Sequence, residues 1–165
     1  MIEVGGLHIN RETKALPTNI QTFLDDAKDG VIYFSMGSIL NGTFFPNDVR
    51  EAFVSAFSQI KQRVLWKYEE EIPYLSSNVM IQSWMPQNDI LAHQNVKAFI
   101  THGGLLGSTE AIYYGVPVIG IPIYGDQRLN IARSVLSGRG LQLNFKDISV
   151  PNILNSINQI LNNPK

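Results

Sequence analysis

The sequence contains no cysteine. That excludes disulfides, thiolate metal sites and cysteine nucleophiles, and it leaves the redox compartment open, because a cysteine-free chain suits either environment. Charge is scarce as well: charged residues make up 16% of the 165 positions and the formal net charge is −1. No cluster of four or more Lys/Arg occurs. Neither a nucleic-acid partner held by phosphate neutralisation nor a polybasic membrane patch is expected. Long hydrophobic runs are missing too. The longest apolar stretch, Gly115 to Tyr124, is broken by Pro117 and Pro122 and is too short to span a bilayer. The opening residues, Met1 to Gly6, have no basic or apolar region of the kind a signal peptide needs. No internal repeat and no GxxxxGK[ST] phosphate loop is found.

What is present is material for a core. Hydrophobic residues make up 44%, including eight Phe, six Tyr and two Trp, in a chain the size of one domain. Residues 1–30 are mixed and turn-rich and read as a lead-in segment or linker. From residue 31 to 165 a regular alternation of strands and helices follows. Val31 to Met36 is a continuous apolar run, as in a strand buried on both faces. It ends in Gly37-Ser38 and a loop holding Asn41-Gly42. A helix with Val49, Phe53, Phe57 and Ile60 on one stripe follows, capped by Asn47 or Asp48.

Further strands are expected at Arg63–Tyr68, Val79–Ser83, Val96–Thr101, Val116–Ile121 and Leu141–Leu143. Further helices are expected from Asn88 or Asp89, over Gly104–Tyr114, over Asp126–Leu136 and from about Pro151. Strands alternating with helices of this length imply parallel βαβ units and a Rossmann-like doubly wound sheet. Ligands then sit beyond the C-terminal ends of the strands.

The loops at those ends carry the candidate chemistry. Thr101-His102-Gly103-Gly104-Leu105-Leu106-Gly107-Ser108-Thr109-Glu110 joins a buried strand to a helix. Glycines let backbone approach a ligand, and the helix start offers unpaired N–H groups to a phosphate. His102 can add a hydrogen bond to a phosphate oxygen. The two oxygens of Glu110 can accept from two ribose hydroxyls. Taken singly, each residue has a plainer role: Trp84 in a core or interface, His102 as a structural histidine, Glu110 on a helix surface, Ser38 in a turn, Asp126 as a helix cap. The glycine spacing is not the GxGxxG dinucleotide fingerprint.

In combination the residues say more. Trp84-Met85-Pro86-Gln87, His93, Phe99 to Gly104, Glu110, Gly115-Val116-Pro117, Pro122 and Asp126-Gln127 together resemble the signature of the UDP-glycosyltransferases. Trp84 to Gln127 spans 44 residues, the length of that signature in plant members. The resemblance extends to Gly6-Leu7-His8 and to Phe34 to Ser38, and so covers nearly the whole chain. Leu105-Leu106 is most similar to insect members.

The resemblance implies the C-terminal half of a GT-B glycosyltransferase, with residues 31–165 as the domain that binds the UDP-sugar donor. It implies that Trp84, with Met85 beside it, stacks on uracil, and that Gln87 and Glu110 meet the ribose. Ser38, His102 and the loop Gly103, Gly104, Leu106, Gly107, Ser108 would meet the diphosphate, and Asp126 and Gln127 the sugar. Many relatives carry Asn where this chain has Leu106, so backbone N–H groups and the Ser108 hydroxyl are expected to hold the anion here. His93 and His8 are expected to be structural, and Glu69-Glu70-Glu71 a solvated charge run.

The family reaction is an inverting transfer of a sugar, UDP-glucose by the insect-like features, to small lipophilic acceptors such as xenobiotics. Its base lies in an N-terminal acceptor domain not matched here, so the chain reads as an excised fragment inactive alone. No metal or other cofactor is implied. The full-length protein is implied to be a membrane-anchored detoxification enzyme of the endoplasmic reticulum lumen, with oligomerisation left open. Two alternatives stand: the donor subunit of a two-chain glycosyltransferase, and a non-catalytic nucleotide-sugar-binding module.

Overall fold

The structure is a computed structural model that describes residues 5–9, 12–38 and 45–162. The Asn41-Gly42 loop lies outside the described residues. Six parallel strands form one sheet: β1 Val31–Ser35, β2 Arg63–Lys67, β3 Val79–Gln82, β4 Val96–Thr101, β5 Val118–Gly120 and β6 Gly140–Gln142. Their order across the sheet is β3-β2-β1-β4-β5-β6. The chain first winds outward through β1, β2 and β3, then returns to the middle and winds the other way through β4, β5 and β6. This is the doubly wound Rossmann-like arrangement, and the direction reverses between β1 and β4.

The helices are α1 Thr18–Asp25, α2 Asn47–Phe57, α3 Gln87–Leu91, α4 Leu105–Tyr113, α5 Gln127–Leu136 and α6 Val150–Asn162. They cover both faces, and the central strands alternate between them. Ile32, Phe34, Val64 and Trp66 point to the side covered by α2 and α6. Val31, Tyr33 and Leu65 point to the side covered by α1, α3, α4 and α5. That is why β1 reads as an unbroken apolar run: all of its residues are buried.

The strands and helices expected from residue 31 onward are all present, with ends moved by at most three residues and Val96–Thr101 unmoved. Two differences have physical reasons. Asn47 and Asp48 do not cap α2; Pro46 occupies the cap position, where no side-chain cap bond forms. Its missing N–H costs nothing at a helix start. Asp126 does not cap α5 either. Its backbone is already helical, and its Oδ2 accepts from the Asn130 side chain one turn on, at 2.8 Å.

The turn-rich lead-in also holds a helix that its flanking glycines and proline conceal. In α1, Ile20, Phe23 and Leu24, followed by Ala27, are buried against Val31 and Tyr33. His93 anchors this helix from the other side. Its Nδ1 accepts from the Asn95 backbone N–H at 3.2 Å, which leaves Nε2 to face Asp25 Oδ1 at 3.1 Å. Hydrogen bonds from Gln21 and then His93 hold the Asp25 carboxyl below its ordinary value.

Candidate functional site

At the point where the sheet reverses, a cleft of about 550 Å³ opens above the C-terminal ends of β1 and β4. Its walls come from the loops that follow these strands, from the start of α4, from the loop before α3 and from the loop before α5. Ser35 and Thr101 are register partners at the cleft floor.

The phosphate-type end of the cleft is built from three loops. Gly104 stands at the cap position of α4, and among the described residues no side-chain cap bond forms at that helix. Its first N–H groups are therefore open to the cleft, with the positive end of the helix dipole behind them. The His102 ring lies between two glycines. A Cβ on Gly37 would fall 2.6 Å from its Cε1, and a Cβ on Gly104 would fall 2.6 Å from its Nε2. Gly37 also has φ +86°, which favours glycine. Any larger residue at either position would drive the imidazole out of this slot. Burial pulls the His102 imidazole below its ordinary value, with Asp126 acting in the opposite sense. A neutral ring with Nε2 toward Gly104 is what the cleft presents near neutral pH, while Nδ1 is buried and, among the described residues, has no hydrogen-bond partner.

The other end is built around a carboxylate. Gln87, at the start of α3, donates its side-chain N–H to Glu110 Oε2 at 2.6 Å. The Glu110 side chain is 13% exposed. Gly107 lies one turn before it on α4, and a Cβ there would sit 3.1 Å from Gln87 Nε2. Glycine at this position lets α3 and α4 come close enough for the two side chains to meet. Trp84 stands beside them with 71% of its surface exposed, whereas Met85 is buried beneath.

Of the residues expected at the site, Ser38, Trp84, Met85, Gln87, His102, Gly104, Leu106, Gly107, Glu110, Asp126 and Gln127 all line this cleft. Gly103 and Ser108 do not. Gly103 turns inward at φ +84°, where a Cβ would fall 2.5 Å from Ile131 Cγ1, and its carbonyl accepts from Asn130 at 3.0 Å. Ser108 faces the sheet side of α4, with its hydroxyl buried and, among the described residues, unpartnered. The Ser108 hydroxyl is therefore not placed to hold an anion in the cleft. Gln127 is buried too, and its Oε1 accepts from the backbone N–H groups of Ile123 and Tyr124 at 2.8 and 3.0 Å. It shapes the Tyr124 loop and has only its NH₂ group to offer a ligand.

Sequence reasoning missed Lys67, the last residue of β2, which lines the cleft and pairs with Glu69 at 2.5 Å. Its place at a C-terminal strand end was the available signal. The Glu69 carboxylate is thus paired, not part of a merely solvated run. Among the described residues no group of three or more His, Asp or Glu could hold a metal ion, and no helix is long and apolar enough to cross a membrane.

A reversing parallel sheet with a glycine-lined helix start at its switch point defines an α/β domain of the nucleotide-binding type. A family profile described as "UDP-glucoronosyl and UDP-glucosyl transferase" matches residues 1–165, and the chain belongs to that family. It is 55% identical to UDP-glycosyltransferase UGT5 of Dactylopius coccus, over 100% of this chain and 31% of that protein. It is 41% identical to UDP-glucuronosyltransferase 2B17 of Mus musculus, over 98% of this chain and 30% of that protein. The chain thus spans about a third of the length of these relatives. Among solved structures, UGT71G1 of Medicago truncatula complexed with UDP-glucose superposes with a TM-score of 0.77. That match has 25% identity and covers 87% of this chain and 34% of the other.

Proposed function

We propose that this chain is the donor half of a UDP-glycosyltransferase and binds a UDP-sugar in the switch-point cleft. The observation that carries the reading is the joint occupancy of one cleft by an exposed indole, a carboxylate clamped by Gln87, and an uncapped helix start beside a neutral imidazole. Each matches one part of the ligand. Trp84 offers a face for uracil, worth about 1–3 kcal/mol as base–aromatic stacking. Glu110 accepts from the ribose hydroxyls while Gln87 holds its other side. The N–H groups of Leu105, Leu106 and Gly107 and the imidazole of His102 meet the diphosphate. Asp126 and the Gln127 NH₂ group face the sugar.

In the transfer itself, an acceptor oxygen bonds to C1 of the sugar as the bond from C1 to the diphosphate oxygen breaks. The configuration at C1 inverts, the electron pair stays on UDP, and the acceptor proton goes to a base. This chain stabilises the charge growing on the diphosphate through the α4 start and His102, an electrostatic contribution made by preorganised groups. The base and the acceptor pocket belong to the unmatched part of the relatives' length, so the chain alone binds without turnover. The donor is UDP-glucose, in keeping with the ligand of the Medicago protein. Small lipophilic acceptors and an anchored location in the endoplasmic reticulum follow for the full-length protein.

Titration calorimetry with UDP, UDP-glucose and UDP-glucuronic acid tests this. Binding of all three, with UDP-glucose tighter than UDP-glucuronic acid, is the expected result. An absence of heat at millimolar UDP would sink the reading.

A further inference from the structure

The resemblance gave the Gly6-Leu7-His8 stretch no ligand-related role, yet the structure puts it against the start of α4. Residue 8 is far from α4 in sequence, yet His8 Nε2 lies 3.1 Å from the carbonyl oxygen of Leu106 and 3.9 Å from Glu110 Oε1. A carbonyl only accepts, so the Leu106 contact requires a hydrogen on Nε2. A polarised N–H group is therefore held where it faces the carboxylate. Gln87 binds Oε2 of that same carboxylate. Glu110 is thus flanked on both oxygens, by a side chain from α3 and by one from the lead-in segment. The His8 side chain is 27% exposed. Gly6 packs nearby, where a Cβ would come within 4.0 Å of Thr109 Cγ2.

We propose that His8 is a positioning residue for the ribose contact: it pins the first turn of α4 through the Leu106 carbonyl and orients the Glu110 carboxylate toward the ribose hydroxyls. The proposal rests on the donor-site reading above. It gives the lead-in segment a part in nucleotide recognition. At 3.9 Å the Glu110 contact is a long-range electrostatic one, not a hydrogen bond. The Leu106 bond is the anchor and Glu110 the group that is aimed.

The test compares UDP with 2′,3′-dideoxyuridine diphosphate, which lacks both ribose hydroxyls, by displacement calorimetry on the 165-residue chain. His8→Ala should weaken UDP about five-fold, the equivalent of one ordinary hydrogen bond, and weaken the dideoxy ligand, which keeps only the diphosphate contacts, by clearly less. His8→Gln, whose amide can still donate to the Leu106 carbonyl, should recover most of the loss. In a Glu110→Gln background, His8→Ala should cost nothing further. Equal weakening of both ligands, no weakening of UDP, or losses that add in the double variant would each overturn the proposal. If the unaltered chain fails to bind UDP, the donor-site reading itself falls. If UDP binds and responds to Glu110→Gln but not to His8→Ala, only the role of His8 falls.

Discussion

The two tryptophans of this chain sit in opposite surroundings. Trp66, in β2, is 1% exposed and stacks on Phe34 with ring centroids 5.0 Å apart, with Phe57 edge-on at 5.6 Å. Trp84, before α3, is 71% exposed on the rim of a cleft. The first is the centre of an aromatic cluster that also includes Phe53 and Tyr68. The second stands free where a core residue would be covered. On the proposed donor-site reading, that uncovered indole, beside polar groups that converge on an open space, is the face that takes uracil. The contrast separates the residues that hold this domain together from those that make it useful.

That separation can be broken or sharpened by measurement. The largest effect is expected at the core. Trp66→Ala should lower the unfolding free energy by about 3–5 kcal/mol, read as a fall in urea midpoint. Trp84→Ala should leave that midpoint in place and instead weaken UDP by about 1–3 kcal/mol in calorimetry. If Trp84→Ala unfolds the domain, or Trp66→Ala loosens UDP without touching stability, the division between the two regions is wrong.

Gly37→Ala joins the two regions, because the added methyl strains a positive-φ backbone and meets the His102 ring. It should cost about 1–3 kcal/mol of stability and also weaken UDP, whereas Gly125→Ala, with φ +63° but nothing within 4 Å, should show the strain without the loss of UDP binding.

The smallest effect concerns pH. Burial lowers the His102 value, so the folded state takes up the proton less readily than the unfolded one. The stability linked to His102 is present above the unfolded histidine value of about 6.5 and is lost as the pH falls below it. Between about pH 7 and about pH 5 the urea midpoint should drop, and less steeply in His102→Gln. An equal drop in both proteins would remove His102 from the account.

Much of the fold was legible without coordinates. A short apolar run such as Val31 to Ser35, closed by Gly37, reads as a strand covered on both faces, and its alternation with helical stripes leaves few arrangements other than a parallel, doubly wound sheet. The cleft residues were legible for a related reason. In such a sheet the loops after strands are the ones that gather, and Gly37-Ser38, His102 and Asp126 all follow strands. The helix α1 was equally present in the spacing of Ile20, Phe23, Leu24 and Ala27, but the turn residues around it hid the stripe.

The amino-acid sequence by itself thus determined the elements, their parallel winding and the end of the sheet at which the cleft opens, because hydrophobic period and chain direction are local or topological properties. Only the tertiary structure decided which way each polar side chain of a loop faces. Ser108 and Gly103 lie within the same glycine-rich stretch as His102 and Gly104, yet a helical turn and a left-handed backbone carry them inward. Gln127 spends its oxygen on the Tyr124 loop, and Asp126 bonds Asn130 instead of capping α5. His8 reaches Glu110 across most of the chain's winding. Such contacts depend on the distance between groups remote in sequence, and no one-dimensional pattern encodes that distance.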